Sequence, residues 1–341
     1  MSRTPFPVTH SLLAAPAIAD RVASLYDLGD ILSCALLRHD VNDNYLVTTT
    51  SARYALRVSP SVAVGRVSGR DFDQIAYELD LLERLDGAGI PVAKPIHTRQ
   101  GERILSLLAP EGERPAVLFS YAAGKHLTPP QQTPDTALLY GRSVARLHRA
   151  AEGLQSPHAP RPLDRETLIE RPLAAVRPYL AHRPDDLNTV QTIADELAER
   201  MDRLAASGAD RGPCHGDAQG GNATLTTEGS ITFFDFEYCG PGPRAYDIAV
   251  FCWGAALGVS RLGWEQSTVD NLCEAYLRGY EEIRPLRALD REAILPLVAV
   301  RELWYLGVQA SSWAHYGLTI DLDAFFDREL RFLREWRAEL A

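Results

Sequence analysis

Apolar and polar positions follow two different rhythms along this chain. The first hundred or so residues carry short runs rich in β-branched and aromatic side chains, and the rest is dominated by apolar residues spaced three and four apart. Residues 13 to 27 predict a short capped helix that ends before Gly29. Leu32 to Arg38 reads as a strand. Tyr45 to Thr50 and Arg53 to Val58 read as the arms of a hairpin turning at Ser51-Ala52. Ile75, Leu79, Leu82 and Leu85 form one stripe on a helix over 71 to 86, which Gly87 and Gly89 stop. Ile104 to Leu108 and Ala116 to Tyr121 read as two further strands.

Helical periodicity then covers 135 to 151, 188 to 206, 246 to 258, 265 to 282, 290 to 317 and 323 to 339. A strand-and-loop region over 213 to 238 interrupts the series, and the proline-containing stretch 155 to 165 reads as a surface loop. Gly124, followed by Pro129-Pro130 and a polar run to Pro134, marks a boundary. The expected organisation is a β-rich N-terminal lobe with a leading helix, residues 1–123, and a larger α-helical lobe, residues 124–341. A chain of 341 residues suits two such units and buries a sizeable core without metal or disulfide.

Hydrophobic residues make up 46% and charged residues 23%, which excludes a disordered or collagen-like chain. The net charge of −10 disfavours a phosphate backbone as partner, so no nucleic acid is expected. Nearly all the positive charge is arginine, because lysine occurs only at Lys94 and Lys125. The five cysteines are an odd number, widely spaced and without a CxxC pair, which argues against a disulfide framework or a zinc site and for free thiols in a reducing cytoplasm. The run Ser11 to Ala19 is too short and too interrupted for a signal peptide, and no uninterrupted apolar run approaches a membrane span, so no membrane association is expected.

The chemistry concentrates in Cys214-His-Gly-Asp-Ala-Gln-Gly-Gly-Asn222 and Ile231-Thr-Phe-Phe-Asp-Phe-Glu-Tyr238. Asp217 precedes Asn222 by five positions, and Asp235 closes the apolar run Ile231 to Phe234. Phosphoryl transfer from Mg·ATP needs a carboxylate to orient the attacking hydroxyl, plus an amide oxygen and a second carboxylate for the metal. Gly220 and Gly221 are expected to let the loop turn tightly.

The pattern His-Gly-Asp-x-x-x-x-Asn followed by Asp-Phe-Glu resembles the catalytic and metal loops of the aminoglycoside phosphotransferase and choline kinase-like family, distant relatives of the protein kinases. The continuation Gly240 to Ala249 resembles the same family. The resemblance implies an α+β, two-lobed protein-kinase-like fold. It makes Asp217 the catalytic base, with His215 ordering its loop, and gives Asn222 and Asp235 to Mg²⁺. Asp247 then accepts hydrogen bonds from the catalytic loop, or else is a simple charge at a helix start. Glu237 faces a second metal or a cationic substrate, or is a solvated glutamate.

Arg53 to Val58 resembles the family strand that carries a phosphate-binding cation, here Arg57 where many members have lysine. Its carboxylate partner is expected to be Glu78, with Glu83 and Asp80 as competitors. Asp40 to Tyr45, containing Asn44, resembles the family's nucleotide loop, or is an ordinary hairpin turn. Phe119 to Gly124 resembles the adenine-contacting linker, which places Ser120, Tyr121 and Ala122 on the nucleotide. Lys125 reads as a surface lysine and His148 as a satisfied core histidine. Trp304, Tyr305, Trp313 and Tyr316 read as core aromatics or as a wall of the acceptor pocket, with Glu302 and Trp253 as further candidates.

The function expected is transfer of the γ-phosphoryl of Mg·ATP to a hydroxyl of a small polar molecule of amino sugar, aminoglycoside or amino alcohol type, by a monomer or homodimer. The acceptor side offers alternatives: a Ser/Thr protein kinase resembling stress-response kinase A, a member of the homoserine-kinase branch, or a nucleotide-binding pseudokinase.

Overall fold

A computed structural model describes residues 6, 8–61, 70–317 and 320–340, and the side chains of Tyr316 and Leu340 lie outside that description. Helix α1 (Ala15–Leu25) starts with Pro16 in its first turn and no side-chain cap, unlike the capped helix expected. Proline needs no donor there and its φ is already helical. Ile18 and Val22 of α1 bury against a five-stranded antiparallel sheet. Its strands are β1 (Ile31–His39), β2 (Asp43–Thr49), β3 (Arg53–Val58), β4 (Leu105–Ala109) and β5 (Gly112–Ser120), in the order β1-β2-β3-β5-β4.

The two-residue period of a strand decides what faces the cleft. In β3, Leu56 and Val58 join the core under α1, while Ala55 and Arg57 point the other way. Helix α2 (Phe72–Gly87) covers that side. Asp71 and Gln74 close its start with a reciprocal capping box, and Ile75, Leu79, Leu82 and Leu85 form its buried stripe with Glu78 among them.

Beyond the short strand β6 (Lys125–His126) the chain is mainly helical: α3 (Pro134–Ala150), α4 (Arg171–Val176), α5 (Pro184–Ala206), α6 (Ala245–Leu262), α7 (Gln266–Glu281), α8 (Ala288–Glu292), α9 (Ile294–Tyr316) and α10 (Leu322–Leu340). Strands β7 (Arg211–Cys214) and β10 (Gly240–Pro243) pair with each other, and β8 (Ala223–Leu225) and β9 (Ile231–Phe233) form a small sheet with β6. These two small sheets hold the loops between them against the helical core.

Two helical features differ from the sequence reading. A π turn, α4 and a 3₁₀ turn occupy 166–180, where Pro172 and Pro178 look like breakers. Each proline sits in the first turn of its segment, where the missing N–H costs nothing. The long helix expected over 290–317 is split at Ala293 into α8 and α9. By length and composition the stretch Ala288–His315 is apolar enough to cross a membrane, but 72% of its most apolar window is buried inside the protein. It is a core helix, packed against α4, α6 and α10.

Candidate active site

A cleft of about 330 Å³ lies between the sheet and the helical region, lined by Arg57, Glu78, Asn222 and Asp235 among others. Strand β3 and helix α2 bring Arg57 and Glu78 together from opposite walls. Arg57 Nη1 donates to Glu78 Oε1 at 2.9 Å and Nη2 to Oε2 at 2.6 Å. Arg70, absent from the sequence reading, adds a third bond to Oε2 at 2.7 Å and reaches the Glu237 carbonyl at 3.2 Å. Burial raises the Glu78 carboxyl, but the two guanidinium groups outweigh it and hold it at about 2. The competitors lie elsewhere: Glu83 pairs with His97 and Arg103, and Asp80 with Arg103 and Ser156.

The loop between β7 and β8 is held from below. Asp247, in the first turn of α6, accepts the His215 N–H and the Gly216 N–H, both at 2.8 Å. His148 bonds the same carboxylate through Nε2 at 2.8 Å and the Tyr280 hydroxyl through Nδ1 at 2.8 Å, with no exposure to solvent. Burial alone would raise the Asp247 carboxyl; these donors hold it below the usual range. His215 is buried under the loop and stacked on Phe236. Its Nδ1 accepts the Asp217 N–H at 3.3 Å, so Nε2 carries the proton and donates to the Phe234 carbonyl at 3.1 Å. Burial lowers its pKa, and a neutral imidazole of fixed tautomer orders the loop from beneath.

Gly220 and Gly221 lie in a 3₁₀ turn, closed by the Asn222 N–H donating to the Gln219 carbonyl at 3.0 Å, and a second sharp turn at Gly216 precedes it. Gly216 has φ +79°, and a Cβ there would lie 2.0 Å from the Tyr238 carbonyl oxygen. Gly220 is needed for a different reason: a Cβ would lie 2.0 Å from the Leu127 carbonyl oxygen. Gly221 has only a loose contact, with Gln219.

The Asp217 carboxylate is gripped on both oxygens. Oδ2 accepts Asn222 Nδ2 at 2.8 Å and Gln219 Nε2 at 3.3 Å, and Oδ1 accepts Arg301 Nη2 at 2.5 Å. Because the Asn222 nitrogen is spent on Asp217, its amide oxygen is left for a cation. Asp235 stands beside it with φ 63°, a left-handed backbone unusual for any residue but glycine. Its Oδ1 is buried without a hydrogen-bond partner, and Arg57 Nη1 is 3.8 Å away. Burial, then the nearby Glu237 carboxylate, push the Asp235 carboxyl up, with Asp217 adding to the effect. An orphaned carboxylate oxygen, an amide oxygen and surplus negative charge make a hard oxygen donor set of the kind Mg²⁺ takes.

Other singled-out residues fall on and off the cleft. Ser120, Tyr121 and Ala122 line it at the end of β5, where the Ser120 and Tyr121 N–H groups are spent on Lys94 and Arg53 carbonyls. Among the described residues the Ala122 N–H has no such bond. Asn44 lines the cleft from within β2, paired with Arg57, and not from the loop where its segment was expected. The loop residue that reaches across is Asn42, whose Nδ2 donates to Glu237 Oε2 at 2.6 Å. Glu237 is therefore tied to that loop.

Glu302 faces away from the cleft: it is fully buried, accepts the Trp253 indole N–H at 2.7 Å and is pushed up by burial and by Glu329. An acceptor-binding role for it disagrees with that position. Trp304 is buried too, packing edge-on against Tyr238 and beneath the Arg301 guanidinium. Arg301 had one sequence signal, a charge in the middle of an apolar helix. Arg70 had none.

Comparison with known proteins agrees with this geometry. Residues 35–292 match the family described as phosphotransferase enzyme family, APH. An uncharacterized protein of Deinococcus radiodurans is 36% identical over 331 residues, covering 97% of this chain and 92% of that protein. A homoserine kinase of Hyphomonas neptunium is 27% identical over 302 residues, covering 85% of this chain and 84% of that one. Among solved structures, the amicoumacin kinase hAmiN in complex with AMP-PNP, Ca²⁺ and Ami superposes with a TM-score of 0.75 at 19% identity, covering 94% of this chain and 93% of that one. Together the matched residues and the superposed fold make this chain an enzyme of the phosphotransferase family, built on the protein-kinase-like fold.

Proposed function

We propose that this enzyme transfers the γ-phosphoryl group of Mg·ATP to a hydroxyl of a small polar molecule, of amino alcohol or amino sugar type. The observation that carries the reading is the convergence on one cleft of the Arg57–Glu78 pair and the oxygen pair of Asn222 and Asp235, with Asp217 hydrogen-bonded to Asn222 just behind the cleft wall. Similarity to a homoserine kinase and to an amicoumacin kinase supports a hydroxyl-bearing, nitrogen-containing acceptor.

In this reading the adenine edge meets the linker at Ala122, and Arg57, fixed by Glu78, donates to phosphate oxygens. Asn222 and Asp235 hold Mg²⁺, which when bound neutralises charge on the phosphate oxygens. Asp217 accepts a hydrogen bond from the acceptor hydroxyl. The hydroxyl oxygen forms a bond to the γ-phosphorus, the bond from that phosphorus to the β–γ bridging oxygen breaks, ADP leaves, and the hydroxyl proton passes to Asp217. Little covalent work falls to the protein, so positioning and charge stabilisation supply the rate. An arginine in the position common to lysine fits the same role, because its fork matches the Glu78 carboxylate and leaves the ion pair intact.

The test is Mg²⁺-dependent ADP formation over a panel of L-homoserine, 1-amino-2-propanol, choline and an aminoglycoside, with phosphorylated product identified by mass. Product that requires both metal and Asp217 supports the reading. Label appearing only on protein hydroxyls would contradict the small-molecule acceptor.

A further inference from the structure

Arg301 is a cation in the middle of an apolar helix. Arg301 is 2% exposed, and its guanidinium packs on the rings of Trp253 and Trp304, at 4.8 and 4.2 Å from their centroids. Such burial is costly unless the charge is paired. Among the described residues its single carboxylate partner is Asp217, reached from Nη2 to Oδ1 at 2.5 Å. The other Asp217 oxygen is held by Asn222 and Gln219 from within its own loop. The catalytic loop and α9 therefore hold the carboxylate through different oxygens, and the two tryptophan rings pack against the guanidinium at cation–π distance.

We propose that Arg301 is the positioning residue for the base. By holding Oδ1 it sets the rotation of the Asp217 carboxylate, so that a remaining lone pair faces the acceptor hydroxyl in line with the γ-phosphorus. This rests on the phosphotransferase reading above. The contact also ties the base to α9, the helix that carries Trp304. Arg301 keeps its proton throughout; the hydroxyl proton goes to Asp217.

The experiment compares Arg301→Lys and Arg301→Gln with the parent enzyme in transfer of γ-labelled phosphate to whichever of L-homoserine or 1-amino-2-propanol the parent accepts. Mg·ATP affinity and melting temperature are measured beside it. Arg301→Gln should lose about 10²-fold in kcat at nearly unchanged Mg·ATP affinity. Lysine supplies one donor and should recover about tenfold of that loss. In an Asp217→Asn background, Arg301→Gln should cost less than about twofold more, because the two residues act as a unit. A kcat within about threefold of the parent in Arg301→Gln, or equal losses of kcat and Mg·ATP affinity, would overturn the proposal while leaving the kinase reading intact. Should Arg301→Gln fail to fold, Arg301→Lys decides by the same split between kcat and Mg·ATP affinity. Absence of transfer by the parent enzyme to every acceptor tried would overturn the reading on which it rests.

Discussion

Arg57 on β3 and Glu78 on α2 meet across the cleft in a two-point ion pair, 2.9 and 2.6 Å long, that is buried on both sides. The pair joins the sheet to its covering helix and leaves the guanidinium edge on the cleft. Lysine carries a point charge and cannot reproduce the fork. Arg57→Lys is expected to weaken Mg·ATP binding about tenfold and to lower stability by about 1–2 kcal/mol, since Arg70 still holds Glu78. Calorimetric nucleotide titration and urea unfolding of the variant check both.

Glu78 also predicts an acid limb in stability. Its folded carboxyl is held at about 2 against an ordinary 4.5. A depressed folded pKa contributes stability above the unfolded value, and that stability is lost as pH falls from about 4.5 towards 2. The span corresponds to about 3 kcal/mol. Urea midpoints measured between pH 6 and pH 3 should fall in the parent protein and fall less in Glu78→Gln.

Asp235 carries a buried oxygen without a hydrogen-bond partner, the oxygen proposed above to hold Mg²⁺ together with Asn222. Asp235→Asn keeps the shape and removes the charge. Its half-saturating Mg²⁺ concentration should rise at least about tenfold, an increment of about 1.4 kcal/mol, while binding of metal-free ADP changes little. Metal titration followed by nucleotide binding separates the two effects. Unchanged metal dependence would remove Asp235 from the metal role.

Gly216 turns the catalytic loop in a left-handed conformation with no room for a Cβ. Gly216→Ala must strain the backbone and move the Tyr238 carbonyl. A loss of about 2 kcal/mol or more is expected, together with a drop in melting temperature of several degrees. Gly221→Ala, with no positive φ and only loose contacts, should melt within about a degree of the parent.

The same pair of glycines shows what the sequence makes legible. The motif from Cys214 to Asn222 announces its chemistry through residue types and spacing, and the alternation around Arg57 places that side chain opposite Leu56 and Val58. Glu78 was legible because it adjoins the stripe Ile75, Leu79 and Leu82 on a well-capped helix. Which glycines exclude a Cβ is not, because that depends on the Tyr238 and Leu127 carbonyls arriving from distant segments.

Contacts between remote elements were the least legible. Arg70 reaches Glu78 from outside the helix pattern, Asn42 reaches Glu237 across 195 positions, and Arg301 reaches Asp217 across 84. Glu302 looked available to a substrate because it adjoins aromatic residues in sequence. In space it is fully buried against Trp253 and Glu329, and Arg301, one step before it, takes the contact with Asp217. Local periodicity sets which face a residue occupies; it does not say what stands opposite that face.

We propose that Asp217 serves as the base of an Mg·ATP phosphotransferase with a small-molecule acceptor. The most direct measurement incubates the enzyme and its Asp217→Asn variant with γ-labelled ATP, Mg²⁺ and a small-molecule fraction of cell extract. Mg·ATP binding is measured on both proteins. The expected result is label in a small molecule with the parent enzyme, at least about 10³-fold less with Asp217→Asn, and Mg·ATP affinity alike in the two. Equal labelling by the variant, or a parent enzyme that binds Mg·ATP and labels nothing, would contradict it.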